Sequence, residues 1–97
     1  MKSFAELFKQ HRVQARFANL SDFADALSEK GYVYDPSMIS LWQRGKRIPN
    51  RRRLLITIIA VFCEKGAITS VDEANELLEA ADQGYLTSKE QEDLFGN

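Results

Sequence analysis

The 97-residue chain holds one cysteine and one histidine, and these two scarcities exclude whole classes of chemistry. A lone thiol, Cys63, cannot form an internal disulfide, which agrees with a reducing, cytoplasmic setting and makes Cys63 a packing residue in its apolar run. With no C-x-x-C and no clustered histidines, no transition-metal site is expected. No Gly-rich phosphate loop occurs either, since Gly45 and Gly66 stand alone. The longest apolar run, residues 54 to 63, is broken by Thr57 and too short for a bilayer, and no secretory signal is present. Asp72, Glu73, Glu76 and Glu79 lie beside an apolar helical stripe, where carboxylates form a solvated face. The expectation is a protein that is not an enzyme and uses no cofactor.

What is present describes one small soluble domain: 44% hydrophobic and 28% charged residues in a chain long enough for a single core. The net charge of −1 conceals a strong asymmetry. Residues 1 to 53 carry eleven Lys or Arg against five Asp or Glu, +6, and residues 54 to 97 carry two against nine, −7. The basic half suits phosphates and the acidic half is repelled by them, so the two halves face different partners.

Helical periodicity runs throughout, without a competing strand pattern, a repeat or a linker. Phe4, Leu7, Phe8, His11 and Ala15 define a first helix over about residues 3 to 15, with His11 expected as a hydrogen-bonded core residue. A second helix, residues 22 to 27, buries Phe23, Ala24 and Leu27 and stops at Gly31. The connection from Gly31 to Asp35 is longer than the three- or four-residue turn usual between paired helices. Its Tyr32 and Tyr34 either form an apolar flap over helix two or bring a hydroxyl to a phosphate. Asn50 is the expected N-cap of a fourth helix, about residues 51 to 65, apolar nearly all round and closed by Gly66. Ser70 and Glu73 have capping-box spacing and open a fifth helix carrying Val71, Ala74, Leu77, Leu78 and Ala81 inward until Gly84. Thr87 and Glu90 repeat that spacing and open a short last one. The fold class is all-α, with five or six short helices.

Residues 37 to 49 read as a short helix built to be met from one side. Asp35 suits its N-cap, Pro36 its first turn and Gly45 its left-handed stop. Met38, Ile39 and Trp42 fall on one face, and Ser37, Ser40, Leu41 and Arg44 on the other. Lys46 and Arg47 follow at once and make a basic corner that suits a phosphate backbone. Arg51, Arg52 and Arg53 then open the next helix, where the macrodipole disfavours cations by about 0.3–1 kcal/mol each. A phosphate resolves that conflict, because free N–H groups and arginines both bind it. Side chains 100° apart allow at most two of the three to reach one backbone.

These residues resemble the lambda-repressor and Cro type, or XRE type, of helix-turn-helix found in bacterial and phage regulators. The matching pieces are Phe23-Ala-x-x-Leu27, Ser37-x-Ile-Ser-x-Trp-x-Arg-Gly-Lys-Arg-x-Pro49 and the aliphatic fourth helix. The resemblance covers about residues 3 to 65, and residues 70 to 95 resemble a helical extension seen after such domains in larger regulators. It implies one helix-turn-helix domain over residues 1 to 97 that binds double-stranded DNA and regulates transcription. By resemblance Pro36, Ser37 and Leu41 face base edges, with Ser40 on the same outward face, while Arg44 and Lys46 face phosphates. Two departures stand out: the longer connection, and the absence from the base-facing positions of any Gln, Asn or Arg able to make a bidentate base contact. The apolar Leu77, Leu78, Leu86, Leu94 and Phe95 look surplus to one small core, so a homodimer through the C-terminal half is expected. The alternative is a protein-interaction module of the same fold that uses its acidic last helices.

Overall fold

Ser3 begins the first helix as the spacing of its neighbours requires: its hydroxyl accepts from the Glu6 N–H at 3.2 Å, and the Glu6 carboxylate accepts from the Ser3 N–H at 2.9 Å. The computed structural model describes residues 1–96 and contains six helices, with no strand among the described residues. They are α1 (Phe4–Gln14), α2 (Leu20–Glu29), α3 (Pro36–Gln43), α4 (Arg52–Glu64), α5 (Val71–Ala80) and α6 (Ser88–Phe95). No helix among them is long and apolar enough to cross a membrane.

The expected stripes are the buried ones. Phe4, Leu7, Phe8, Phe23, Leu27, Ile39 and Trp42 meet the inner face of α4, whose Leu54, Leu55, Ile58, Ile59 and Phe62 run through the middle of the core. Phe8 is the shared contact. Its ring lies 5.1 Å from Phe23 of α2, 6.2 Å from Trp42 of α3 and 5.8 Å from Phe62 of α4, the first two edge-on, as aromatic quadrupoles favour. Helices α1 and α2 both pack on α3, so the short third helix is held from two sides.

Five helices end in one way. A left-handed residue follows the last turn, and its own N–H and that of the next residue fold back to the final carbonyls, satisfying acceptors that a helix end otherwise leaves open. Glycine takes that place after α2, α3 and α4, at Gly31, Gly45 and Gly66. After α1 and α5 it is Arg16 and Asp82, at φ 65° and 62°. The expectation that α5 runs to Gly84 is therefore corrected: Gln83 N–H bonds the Leu78 carbonyl at 2.9 Å, and Asp82, a residue type that tolerates this region, makes the turn.

Three further expectations change. Asn50 does not cap α4; Arg51 holds the cap position without a side-chain bond, and α4 starts where Arg52 can reach α6. Glu73 does not close a box on the Ser70 N–H but reaches one residue further back, to Thr69 N at 2.9 Å. His11 is 1% exposed, yet both ring nitrogens lack a hydrogen bond, although its ring lies against Phe62 at 5.6 Å.

His11 thus carries a cost that depends on pH. Burial holds its pKa below the ordinary 6.5, opposed by the carboxylates of Glu73 and Glu76 on α5 and by nearby Gln14 and Ala67. As pH falls below 6.5 the unfolded chain takes up the proton first, so folding stability falls with it. His11→Leu should remove that part of the acid slope, and at neutral pH should leave stability unchanged or higher because no polar atom is stranded. Urea melts at several pH values between neutrality and acid test this; an unaltered slope in the variant would locate the acid sensitivity elsewhere.

Candidate nucleic-acid interface

The outward side of α3 is built by its two ends. Asp35 accepts from the Ser37 N–H at 2.9 Å and from the Ser37 hydroxyl at 2.8 Å, and the N–H bond foremost holds its carboxyl below the ordinary range. Pro36 occupies the first turn, where no N–H is needed. At the other end Gly45, at φ 74°, donates to the Trp42 carbonyl at 3.2 Å, and Lys46 donates to that of Leu41 at 2.9 Å. This stop turns the chain sharply and leaves Lys46 and Arg47 in solvent.

Trp42, 3% exposed, and Ile39 face the core, and Tyr34 meets the Trp42 ring edge-on at 5.4 Å. Tyr34 of the expected flap thus packs on α3. Ser37 and Arg44 are exposed, whereas Pro36, Ser40 and Leu41 are half-buried. Gln43, the one side-chain amide on α3, accepts from Arg12 Nε at 2.7 Å, while Arg12 also donates to the Phe17 carbonyl at 2.7 Å. That arginine ties the end of α1 to the end of α3 and fixes the angle at which α3 is presented.

Of the three arginines at the start of α4, Arg51 and Arg53 are exposed. Arg52 is not free, and its expected phosphate-facing role is corrected. Its guanidinium bonds both carboxylate oxygens of Glu90, at 2.7 and 3.2 Å, and the carbonyls of Gly84 and Tyr85 at 2.6 and 3.0 Å. A fork so fully used is an internal clasp between α4 and α6. Among the described residues, the ion pairs join Lys30 to Glu64, Arg52 to Glu90 and Lys89 to Asp93. Arg44, Lys46, Arg47, Arg51 and Arg53 are in none of them.

Arg47 and Arg51 also rim a groove between α3 and α4, of about 320 Å³, floored by Met38, Trp42 and Leu54 and walled by Tyr34. No group of His, Cys, Asp or Glu among the described residues could hold a metal ion. Cys63 is half-buried, and desolvation, followed by Glu73 and Glu64, raises its thiol to about 11, so it is no nucleophile near neutrality.

Comparison of the chain with protein-family models, with curated proteins and with solved structures finds no match. The interface therefore rests on its own geometry. Sequence reasoning missed Arg12 and Glu90 because each acts across more than thirty positions, 31 and 38 respectively, and no local pattern marks such pairs. It also overcounted the apolar residues available to a partner: Leu77, Leu78 and Leu86 are buried inside the chain, and Leu94 and Phe95 pack on the same core. Leu94 and Phe95, at the end of α6, are only half-buried.

The clasp sets an acid limb distinct from that of His11. Arg52 foremost, with Thr87, holds Glu90 at about 2. Its stabilisation is complete above the ordinary carboxyl value of 4.5 and fades as pH falls toward 2. Glu90→Gln should cost about 1.5–3 kcal/mol, the range for a hydrogen bond to a charged group, and flatten that limb. Thermal melts of the two proteins at neutral pH and near pH 2.5 should differ at the first and converge at the second; equal melts at neutrality would mean that the clasp adds nothing.

Proposed function

We propose that this chain is a cytoplasmic DNA-binding domain of a bacterial or phage transcriptional regulator, with α2 and α3 as a helix-turn-helix of the lambda-repressor and Cro type. The observation that carries this reading is the unpaired cation set: Arg44, Lys46 and Arg47 follow the end of α3, Arg51 and Arg53 lie at the start of α4, and among the described residues no carboxylate pairs with any of them. Five exposed cations of one sign repel each other unless an anion is drawn in, and a phosphate backbone supplies anions in a row. The uncapped start of α4 adds free N–H groups beside Arg51 and Arg53.

Base contacts in this reading are few. Ser37 spends its proton on Asp35, so toward a base its oxygen is an acceptor and suits the exocyclic amine of adenine or cytosine. Leu41 offers an apolar surface to a thymine methyl. Gln43 is held by Arg12 and does not read. With so small a set, DNA shape carries part of the preference, and two copies on a two-fold site would double it. A homodimer therefore belongs to the proposal, without an assigned contact surface.

Binding of labelled duplex DNA, followed by anisotropy across a salt series, tests the reading. Lys46→Ala and Arg47→Ala should weaken all sequences about equally, each lowering the salt slope by about one unit. Leu41→Gln should instead shift the sites recovered from a random pool, because a new amide can pair with adenine. Binding that ignores both the basic substitutions and salt would sink the proposal and favour a protein partner for α5 and α6.

A further inference from the structure

Among the six helices of the described residues, α4 alone has a start that no side chain caps; Ser3, Asn19, Asp35, Ser70 and Thr87 cap the others. An uncapped first turn frays, because its free N–H groups have no side chain to hold them. Here the cap position is Arg51, and the start is held instead by residues more than thirty positions away. The Arg52 guanidinium bonds the carbonyls of Gly84 and Tyr85 and both carboxylate oxygens of Glu90, and Gln83 Nε2 donates to the Asn50 carbonyl at 3.3 Å. Arg51 thus lies between two residues tied to the turn that joins α5 to α6. That turn is itself fixed: Leu86 is buried and its N–H bonds the Asn75 side chain at 2.8 Å, while the Glu90 carboxylate also accepts from the Thr87 N–H at 2.9 Å.

We propose that Glu90 and the α5–α6 turn position the DNA interface: by holding Arg52 inward they fix the first turn of α4, so that the exposed Arg51 and Arg53 meet the phosphate backbone together. Glu90 touches no DNA in this scheme and is a positioning residue. Arg53 follows Arg52 by 100° of helix, so the direction in which Arg52 is pinned sets that of Arg53. Two cations on an anchored backbone lose less freedom on meeting a phosphate than two on a frayed turn, which is the advantage of preorganised contacts. An acidic cap in place of Arg51 would fix the same turn, but at the loss of one of the two cations. The inference rests on the DNA reading, and it makes residues 83 to 90 part of the DNA-binding unit rather than a module with a partner of its own.

The salt dependence of duplex DNA binding by the whole chain separates positioning from folding, since a smaller folded fraction weakens binding at every salt alike and leaves the slope unchanged. Two variants keep the net charge: Arg52→Lys, whose ammonium cannot form the fork, and the double variant Arg52→Gln, Glu90→Gln, in which neutral amides replace the pair. Each is assayed well below its own melting temperature, and if one does not fold the other carries the test. In each the salt slope should flatten by about one to two units, one for each of Arg51 and Arg53 that loses its phosphate. In an Arg51→Ala, Arg53→Ala background, where those contacts are already gone, neither change should flatten it further. An unchanged or steeper slope in a folded variant overturns the inference, as does equal flattening in the absence of Arg51 and Arg53. It is overturned too, with the DNA reading left standing, if Arg51→Ala, Arg53→Ala keeps the wild-type slope while Lys46→Ala lowers it. A wild-type chain that binds no duplex at low salt refutes the DNA reading itself, and the inference with it.

Discussion

Four helices depend on the ring of Phe8. Contacts from Phe23, Trp42 and Phe62 reach it from three different helices, and Phe4 stacks beside it at 6.0 Å on its own. A short helix such as α3, eight residues long, has too few internal hydrogen bonds to stand alone in water. What holds it is Trp42, seated between Phe8 and Tyr34, and the Arg12 bond to Gln43 at its last turn. The outward face of α3 is therefore as rigid as the aromatic cluster behind it, and rigidity is what lets a few half-buried side chains present a defined surface.

Much of this was legible because it is local. Asp35, Ser70 and Thr87 announce helix starts by residue type, and Gly31, Gly45 and Gly66 announce stops that need a left-handed backbone. The buried faces followed from periodicity. The illegible stops were Arg16 and Asp82, left-handed residues without the glycine that marks the others, each beside a residue buried in the core, Phe17 and Ala81. Asn50 misled for a similar reason, since a good cap residue loses its place when the helix register is set by a distant partner.

The arginines show how far local logic carries. Three consecutive guanidiniums against a helix macrodipole pose one question, and the molecule answers it twice. Arg52 is compensated from inside by Glu90 and two carbonyls. Arg51 and Arg53, both exposed, are in no ion pair among the described residues. Geometry at 100° per residue required some such division, but only the arrival of α6 decided which arginine turned inward.

That division also explains why the chain is charged as it is. The acidic C-terminal half contributes Glu90, which pairs with Arg52, and Glu64, which pairs with Lys30, while its remaining acids lie on α5, on α6 and at Asp82 in the turn between them. If more of them folded back, they would pair with Arg47, Arg51 and Arg53 and cancel the charge around α3. A single well-made clasp therefore does two things at once: it fixes the acidic helices to the core, and by consuming one arginine alone it leaves the remaining cations free. The near-zero net charge of the chain is the sum of a basic first half and an acidic second half, and it says nothing about the local field around the unpaired cations.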